Sequence, residues 1–418
     1  MPRLAFPSEE LRLLFAASRL EMTAEDRREA LGAIERGVDW SQVVQLAEQH
    51  RCLPLLHKHA AAGDIPIDAV PFPVRGRLDR RANAIAVRNL RLTAELGTIV
   101  RELEAHGIPV LPLKGPVVAQ TVYGSLALRP IGDLDILCSR EDLANAIARL
   151  SALGYEPTNP QLNKRVEKMH TSHHVALFSS ATRVLVELHF RMYSPFFGAP
   201  VELPSVAPRL HRMSLAGTEM SALCPEDLLV HLCIHGSGHA WERLEWLCAV
   251  AELVRSGNIR DWARVADWAD ELRARRLVAL GLWLSASVLG APAPPHSIRP
   301  DRRTLAMARR IEARIANDPR RHESALELAR IALHTDASIG ARFRSVWHAC
   351  VVPKKNDFVA LPLPDVLWPM YYAIRPVRLV ARLLGMPPAS ATATGHAVGG
   401  LEPRVNASGR PLNNRLKS

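Results

Sequence analysis

The sequence predicts an α+β protein in which a small mixed sheet lies between helical regions at the two ends of the chain. Three observations predict this class. Apolar residues recur at helical spacing before residue 107 and again after residue 223. Between these regions, short apolar runs alternate with helical segments, which indicates strands mixed with helices. A hydrophobic fraction of 48% and a charged fraction of 23% in 418 residues are typical of a globular chain with room for more than one core.

Residues 1–106 form the predicted N-terminal helical region. Its segments have apolar residues at helical spacing, and Thr23 with Asp26 has the pattern of a capped helix start. The longest predicted helix spans about Arg77–Ala105. His106 and Gly107 end it, because a glycine just beyond the last turn is a common C-terminal cap.

Residues 107–222 form the predicted sheet domain. Its four apolar runs are predicted strands, at Ile108–Leu113, Gly132–Cys138, His174–Phe178 and Arg183–Phe190. Two helices are predicted between them, at Pro116–Tyr123 and Arg140–Leu153. A proline at the first position suits a helix start, since that N–H has no partner within the helix.

The rest of the chain is predicted to contain three parts. Residues 223–340 are a C-terminal helical domain. We expect it to lie opposite the sheet domain and to form one wall of a cleft between the two. Its predicted helices are Glu226–His239, Arg243–Arg255, Trp262–Leu272, Arg276–Leu289 and Arg302–His334. Residues 341–387 are a basic helical extension broken by prolines, and the composition of 388–418 predicts a disordered tail.

The net charge of +11 favours an anionic partner, and nucleic acid is one such class. However, 46 of the 53 basic residues are arginines that lie along the whole chain, often beside an acidic residue. A solvated surface explains this pattern better than a polyanion-binding role. A nucleic-acid partner therefore rests on net charge alone.

The basic apolar segment 372–384 has two interpretations. Arginines beside leucines and valines suit a helix that lies on a membrane surface, and they also suit a helix packed against the body of the protein.

The six cysteines have no CxxC spacing, and the sequence shows neither a signal peptide nor an apolar run long enough for a membrane span. We therefore expect a soluble, cytoplasmic protein with free thiols.

A turn at Lys114-Gly115-Pro116 joins the first predicted strand to a helix. The free N–H groups of the helix start, a glycine that allows close approach and a lysine charge together suit a phosphate group. An ordinary strand-to-helix turn whose lysine reaches solvent has the same sequence. The turn is a candidate phosphate site on this evidence, and no more.

Carboxylates follow on the next strands. Asp133 and Asp135 are two apart in an apolar strand, so their side chains point to one face. The alternative is a solvent-facing pair on an edge strand. Glu187 lies in a second apolar strand with His189 on its face, and a buried carboxylate needs a charge partner. Hard oxygen ligands suit Mg²⁺, which predicts metal-dependent phosphoryl or nucleotidyl transfer.

These blocks resemble the nucleotidyltransferase superfamily that includes DNA polymerase beta, and more specifically an uncharacterised nucleotidyltransferase family found in bacteria. The resemblance covers roughly residues 40–290. The matching blocks are Leu113-Lys-Gly-Pro, Tyr123-Gly, Leu128-Arg-Pro, Asp133-Leu-Asp-Ile-Leu, Val186-Glu-Leu-His and Leu228-Leu-Val-His-Leu-Cys-Ile-His. The resemblance implies that a nucleoside monophosphate passes from an NTP to a hydroxyl-type acceptor of unknown identity.

The resemblance also implies roles for single residues. Asp133, Asp135 and Glu187 would bind Mg²⁺ or Mn²⁺, and the Lys114-Gly115 turn would hold the triphosphate. Arg129 would either contact phosphate or pair with Asp133. His189 and His235 are further candidates for binding the nucleotide.

Two departures from the pattern keep a second function open. Pro116 follows Gly115 where the superfamily usually has serine or glycine, which removes a backbone donor, and Ala249 stands where the family tends to place an aspartate. The alternative is a non-catalytic protein that senses a nucleotide or binds a partner through the same cleft.

Two groups of histidines accompany the acids. His231, His235 and His239 recur every four residues on one helix, a face that suits a metal, a phosphate, or simple packing at a domain boundary. His170, His173 and His174 lie just before a strand, a position that suits a polar loop. The sequence has no cysteine at ligand spacing and no HExxH, so it does not predict a zinc site.

Overall fold

The computed structural model describes residues 8–158, 173–193, 199–317, 331, 347, 350–353, 355–361 and 363–383. The chain divides into two compact units, Met1–Val352 and Pro353–Ser418, and each is described by itself. The predicted tail at 388–418 lies outside the described residues. The predicted domain boundaries within the first unit stay predictions.

Four helices open the first unit. They are α1 (Glu9–Ala17), α2 (Ala24–Arg36), α3 (Trp40–Gln49) and α4 (Leu53–Ala62). The expected cap at the start of α2 is confirmed, because the Thr23 side chain accepts from the Asp26 N–H while the Asp26 carboxylate accepts from the Thr23 N–H. Asp26 is buried and also pairs with Arg19 at 2.5 Å. The capping residue Asp26 therefore also fixes the segment that connects α1 to α2.

Helix α5 (Phe72–Ala105) is the longest, with 34 residues, and it packs along the sheet. Its buried Leu92, Leu96 and Ile99 belong to the same apolar core as the strands. One polar residue on this helix is also fully buried. The Asn89 amide donates to the carbonyls of Leu126 and Arg129 and accepts from the Ile131 N–H, so α5 holds the loop that leads into the second strand.

A five-stranded mixed sheet forms the centre of the unit. Its strands are β1 (Val110–Pro112), β2 (Leu134–Cys138), β3 (Glu156–Pro157), β4 (His174–Ser179) and β5 (Val184–His189). The order is β1-β2-β5-β4-β3, with β2 and β5 parallel and the other pairs antiparallel. Two helices connect the strands, α6 (Pro116–Tyr123) and α7 (Leu143–Ala152). The predicted α+β class is confirmed.

Strand β2 begins two residues later than predicted, at Leu134. Its ladder with β1 runs from Val110 paired with Cys138 to Pro112 paired with Ile136. One further backbone bond runs from the Leu113 N–H to the Asp135 carbonyl at 2.9 Å. Asp133 lies one residue before the strand, so the predicted strand start at Gly132 is too early and Asp133 is not a strand residue.

The two faces of the sheet differ in chemistry. Leu134, Ile136 and the facing residues of β5 point into the apolar core shared with α5 and α7. The opposite face presents Asp135, Glu187 and His189, since side chains alternate along a strand. The register of this sheet thus gathers its polar side chains on one side.

A two-stranded hairpin, β6 (His211–Leu215) and β7 (Thr218–Ala222), follows the short helix α8 (Leu203–Val206), and neither was predicted. The turn residues Ala216 and Gly217 both have positive φ, at 49° and 78°. Hairpin turns of this kind usually carry Asn-Gly, so Ala-Gly gives a weaker signal. Most of β6 is exposed and polar, which removes the apolar alternation that marks a strand.

Five helices complete the described part of the first unit. They are α9 (Pro225–Gly238), α10 (Leu244–Arg255), α11 (Trp262–Glu271), α12 (Arg275–Leu289) and α13 (Arg302–Asn317). Trp241 is fully buried between α9 and α12, where Gly236 and Gly281 leave room for its ring. Residues 318–330 and 332–334 of the predicted helix Arg302–His334 lie outside the described residues.

The second unit contains α14 (Lys355–Ala360), a 3₁₀ helix (Asp365–Met370) and α15 (Tyr371–Leu383). Asp357 on α14 pairs with Arg375 at 2.8 Å and with Arg378 at 2.6 Å on α15. Within the described ranges, no helix has both the length and the hydropathy that crossing a membrane requires.

Candidate active site

The turn before α6 places a lysine beside the acidic face of the sheet. Gly115 has φ of +63° and ψ of −124°, and a Cβ there would lie 3.4 Å from the Ile131 side chain and 3.5 Å from the Asp133 carbonyl. The positive φ therefore favours glycine here, while the two distances are ordinary van der Waals contacts. The Lys114 Nζ lies 2.8 Å from Asp135 Oδ1. The lysine predicted to meet phosphate is thus ion-paired with a carboxylate of the same site.

Asp135 and Glu187 face each other across the parallel pair β2 and β5, where they are direct Cα partners. His189 Nε2 lies 3.2 Å from Asp135 Oδ1 and 3.6 Å from Glu187 Oε2. One ligand atom from each of these three residues lies within 4.8 Å of the other two, a spacing that a single cation spans. Two adjacent strands therefore supply a compact set of ligands.

The charges of this group shift its pKa values in opposite directions. Burial would raise the pKa of Asp135, but the Lys114 charge and the His189 hydrogen bond outweigh burial and hold it well below its usual range. Burial would lower the pKa of Lys114, yet the charge of Asp135 leaves it raised. Both side chains are thus ionised at neutral pH.

Asp133 lies near these carboxylates without joining the compact group. Its pKa is raised to about 6, first by burial and then by the negative charges of Asp135 and Glu187. Lys114 and Arg51 lower it only in part. Burial is the largest cause of this rise in pKa, and the two carboxylates add to it.

The sheet residues form one side of an open cleft with about 630 Å³ of space between its walls. Four cationic side chains line it together with the carboxylates: Arg51, Lys114, Arg129 and Arg243. Arg51 donates to the Pro130 carbonyl at 3.1 Å and pairs with Glu245 at 3.3 Å. Carboxylates on one side and guanidinium groups around them suit a metal-bound polyphosphate.

Helix α9 contributes the predicted histidine face. His235 and His239 line the cleft, and His239 stacks on Trp246 with ring centroids 4.8 Å apart. Burial lowers the pKa of His239 to about 4 and that of His235 well below its usual range. These imidazoles are neutral at pH 7, so they offer hydrogen bonds and metal ligation rather than positive charge.

The structure brings most of the sequence-predicted residues to this cleft. Its lining includes Lys114, Gly115, Arg129, Asp133, Asp135, Glu187 and His235. His189 reaches the site through Asp135 and Glu187. Ala249, at the departure from the family pattern, is buried in the apolar core of the helical part. The roles of these residues stay predictions.

Sequence reasoning missed Arg51, Arg243 and Glu245. Arg51 follows α3 with a positive φ of 57°, and Arg243 precedes α10, so both come from helical regions far from the sheet in the chain. Arg51 and Arg243 are two among many arginines in the chain. No local pattern separates them from surface arginines, and only the packing of the helices beside the sheet reveals them.

A mixed sheet with paired carboxylates on adjacent parallel strands, beside a glycine turn that opens a helix, defines a nucleotidyltransferase-type protein. A family model described as uncharacterised nucleotidyltransferase matches residues 36–290, more than half of the chain. The chain belongs to this family, which confirms the resemblance found in the sequence. No curated protein and no solved structure matches the chain. The match spans every residue that lines the cleft.

Proposed function

We propose that the protein transfers a nucleoside monophosphate from an NTP to a hydroxyl-type acceptor in a reaction that depends on Mg²⁺ or Mn²⁺. One observation carries the proposal. Asp135 and Glu187 face each other in register, and cationic side chains line the cleft around them. Family membership supports nucleotidyl transfer as the reaction class. The chemical identity of the acceptor is left open.

The residues present fit a divalent metal. Carboxylate oxygens of Asp135 and Glu187 are hard ligands of the kind that Mg²⁺ and Mn²⁺ prefer. One ligand atom from each of Asp135, Glu187 and His189 lies within 4.8 Å of the other two, close enough for one ion. When bound, the metal would neutralise charge on the phosphate oxygens and on the leaving pyrophosphate.

The protein's own side chains bind and orient the nucleotide. Arg51, Arg129 and Arg243 line the cleft at positions where their guanidinium groups can pair with phosphate oxygens. Lys114 pairs with Asp135 at 2.8 Å, and it would be free to contact a phosphate if the carboxylates held the metal. In the transfer, the acceptor oxygen bonds to the α-phosphorus, the bond to the β-phosphate oxygen breaks, and the acceptor proton passes to solvent.

The experiment uses NTPs labelled at the α-phosphate, incubated with the purified protein and a cell extract in Mg²⁺. We expect a labelled product from the wild-type protein. Asp135→Asn, which keeps the shape of the side chain, should reduce labelling by about 100-fold or more, since one charge-stabilising group is worth that much in a site. The matched control is Glu156→Gln, an exposed carboxylate of β3 in the same sheet.

The proposal fails if the wild-type protein binds no NTP in Mg²⁺ and if the double variant Asp133→Ala with Asp135→Ala changes neither binding nor a cellular phenotype. Circular dichroism and thermal unfolding must show that each variant folds. Equal labelling by Asp135→Asn and the wild type would also contradict the assigned role of the carboxylate.

A non-catalytic nucleotide sensor is the second candidate. Pro116 is the first residue of α6, so the helix start lacks one N–H that would face a phosphate. The buried Ala249 supports the same candidate, since an aspartate is expected there in the family. NTP binding without pyrophosphate release across a panel of acceptors would favour the sensor over the enzyme.

We also propose a cytoplasmic location, which the six unpaired cysteines support.

A nucleic-acid acceptor has only the net charge of +11 in its favour. Steep salt dependence of RNA or DNA binding would be its signature.

A further inference from the structure

Three histidines meet at the end of the sheet beyond the carboxylates. His174 is the first residue of β4, and it pairs in register with His189, the last residue of β5. His173 comes directly before His174 in the chain. One ring nitrogen from each of the three lies within 4.8 Å of the other two. The strand register alone brings them together, because 15 positions separate His174 from His189 in the chain.

The backbone holds His173 at this place. Its carbonyl accepts from the N–H groups of Phe190 at 3.0 Å and Arg191 at 3.3 Å, directly after β5. The three rings are near neighbours, with centroids 4.7, 5.1 and 5.3 Å apart. The cluster is therefore part of the folded strand pair rather than a feature of a polar loop.

The distance between two of the nitrogens suits a shared ligand. His173 Nε2 lies 3.4 Å from His174 Nδ1. Good N–H hydrogen bonds are shorter, at about 2.7–3.2 Å. Two nitrogens bound to one tetrahedral Zn²⁺, each at about 2.05 Å, lie about 3.3 Å apart. The observed separation thus matches two ligands of one ion better than a hydrogen bond between rings.

His189 supplies an independent observation. Its Nε2 faces Asp135 and Glu187, while its Nδ1 is buried and has no hydrogen-bond partner among the described residues. Only 4% of the side chain is exposed. A buried polar nitrogen without a partner costs free energy, and a bound ion would satisfy it.

A carboxylate accompanies the three rings. Glu187 lies next to the rings, with Oε1 3.8 Å from His174 Nε2, and so places negative charge beside the cluster.

We propose that His173, His174 and His189 form a second metal site that takes a borderline transition-metal dication such as Zn²⁺. Three imidazole nitrogens select such an ion over Mg²⁺, which prefers oxygen. The site adjoins the carboxylate pair and shares His189 with it. It does not depend on nucleotidyl transfer, since it rests on the histidines alone. The absence of a zinc spacing motif in the sequence is explained by ligands on two different strands.

The test uses the full-length protein, stripped with a chelator and titrated with Co²⁺ alone, because tetrahedral nitrogen-bound Co²⁺ has a strong visible spectrum. We expect one ion per chain with a tetrahedral spectrum. His173→Ala should weaken binding by at least about 100-fold, since even partners outside the metal ligands cost 10–100-fold. The matched control His211→Ala removes an exposed histidine of β6 and should leave binding unchanged.

A second variant separates the two sites. Asp135→Asn should keep the tetrahedral spectrum and weaken Co²⁺ binding by no more than about 100-fold, because Asp135 contacts the ligand His189 without being a member of the histidine cluster. Loss of the tetrahedral spectrum in Asp135→Asn, an octahedral spectrum in the wild type, or unchanged affinity in His173→Ala would each overturn the proposal. X-ray absorption of the zinc-loaded wild-type protein counts bound imidazoles by their outer-shell scattering, and fewer than three imidazoles would also overturn it.

Discussion

Lys114 is the only lysine that lines the described cleft, and it is already paired with Asp135. The pair explains how a carboxylate that is 4% exposed stays ionised inside the protein. Asp133 has no such partner at hydrogen-bond distance in the described structure, and its raised pKa reports the difference. The acidic residues of this cleft therefore differ in how well neighbouring positive charges balance them.

We predict that Asp133→Asn stabilises the protein without metal at pH 7. The pKa of Asp133 is raised from 3.8 to about 6, so between these values the folded state holds a proton that the unfolded state has lost. Wild-type stability therefore falls as pH rises through this window, and the loss is complete above pH 6. Without the titrating group, the variant should gain about 1–2 kcal/mol at pH 7, after discounting for solvent screening.

Urea unfolding from pH 4 to pH 8, in chelator, measures this difference. The stability difference between the variant and the wild type should grow from pH 4 to pH 6 and then level off. Glu156→Gln, an exposed carboxylate on β3, serves as the control and should show no such trend. A constant difference across the range would mean that Asp133 is ionised throughout.

The sequence alone was sufficient for the residues whose setting is local. Glu187 and His189 are identifiable because two polar side chains alternate with apolar ones in a strand. Arg51 was not identifiable, since its place in the cleft depends on how α3 and α4 pack beside the sheet. Asp133 was placed on the strand because alternation predicts it, yet the strand begins one residue after it, at Leu134.

At the level of elements, helix α6 was predicted to its exact ends, since Pro116 and Gly124 mark both termini in the sequence. The hairpin β6–β7 was missed because its exposed strand and its Ala-Gly turn carry little apolar pattern. Helix α9 differs from the exposed hairpin, because nearly every face of this helix is buried. Its position depends on two glycines that accommodate Trp241.

We predict that Gly236→Ala destabilises the protein. A Cβ at this position would lie 2.3 Å from the Trp241 ring, which is too close for any pair of carbon atoms. Trp241 is fully buried and cannot move aside without repacking α9 against α12, so the free energy of unfolding should fall by about 1–3 kcal/mol. Thermal and urea unfolding measure the loss.

The matched control is Gly32→Ala on α2, where the nearest atoms belong to the flexible end of Arg36. This change should raise stability by about 0.5–1 kcal/mol, because alanine suits a helix interior better than glycine. Equal effects of the two substitutions would show that Trp241 does not constrain α9.

For the molecule as a whole, the second unit bears on the membrane hypothesis for 372–384. Val366, Val377 and Val380 are exposed, which suits a surface that meets lipid. However, Arg375 and Arg378 both pair with Asp357, and this pairing engages two of the cations that would attract an anionic membrane.

We predict that the full-length protein and a chain ending at Val352 behave alike in flotation with vesicles that contain anionic lipid. Neither should float with the vesicles, because the paired arginines leave little charge for headgroups. The truncated chain should keep its thermal transition, since Met1–Val352 is a compact unit of its own. Flotation of the full-length protein alone, reversed by salt, would contradict this prediction and assign 353–383 to a membrane surface.

The direct pairing of Asp135 with Glu187 limits how this protein can change in evolution. Because successive side chains of a strand point to opposite faces, inserting or deleting one residue inside β2 or β5 would turn a carboxylate toward the apolar core. The segment between α6 and β2 has no strand partner and can vary in length without this effect. Related chains should therefore keep the lengths of these two strands and collect their insertions in the loop that precedes Asp133.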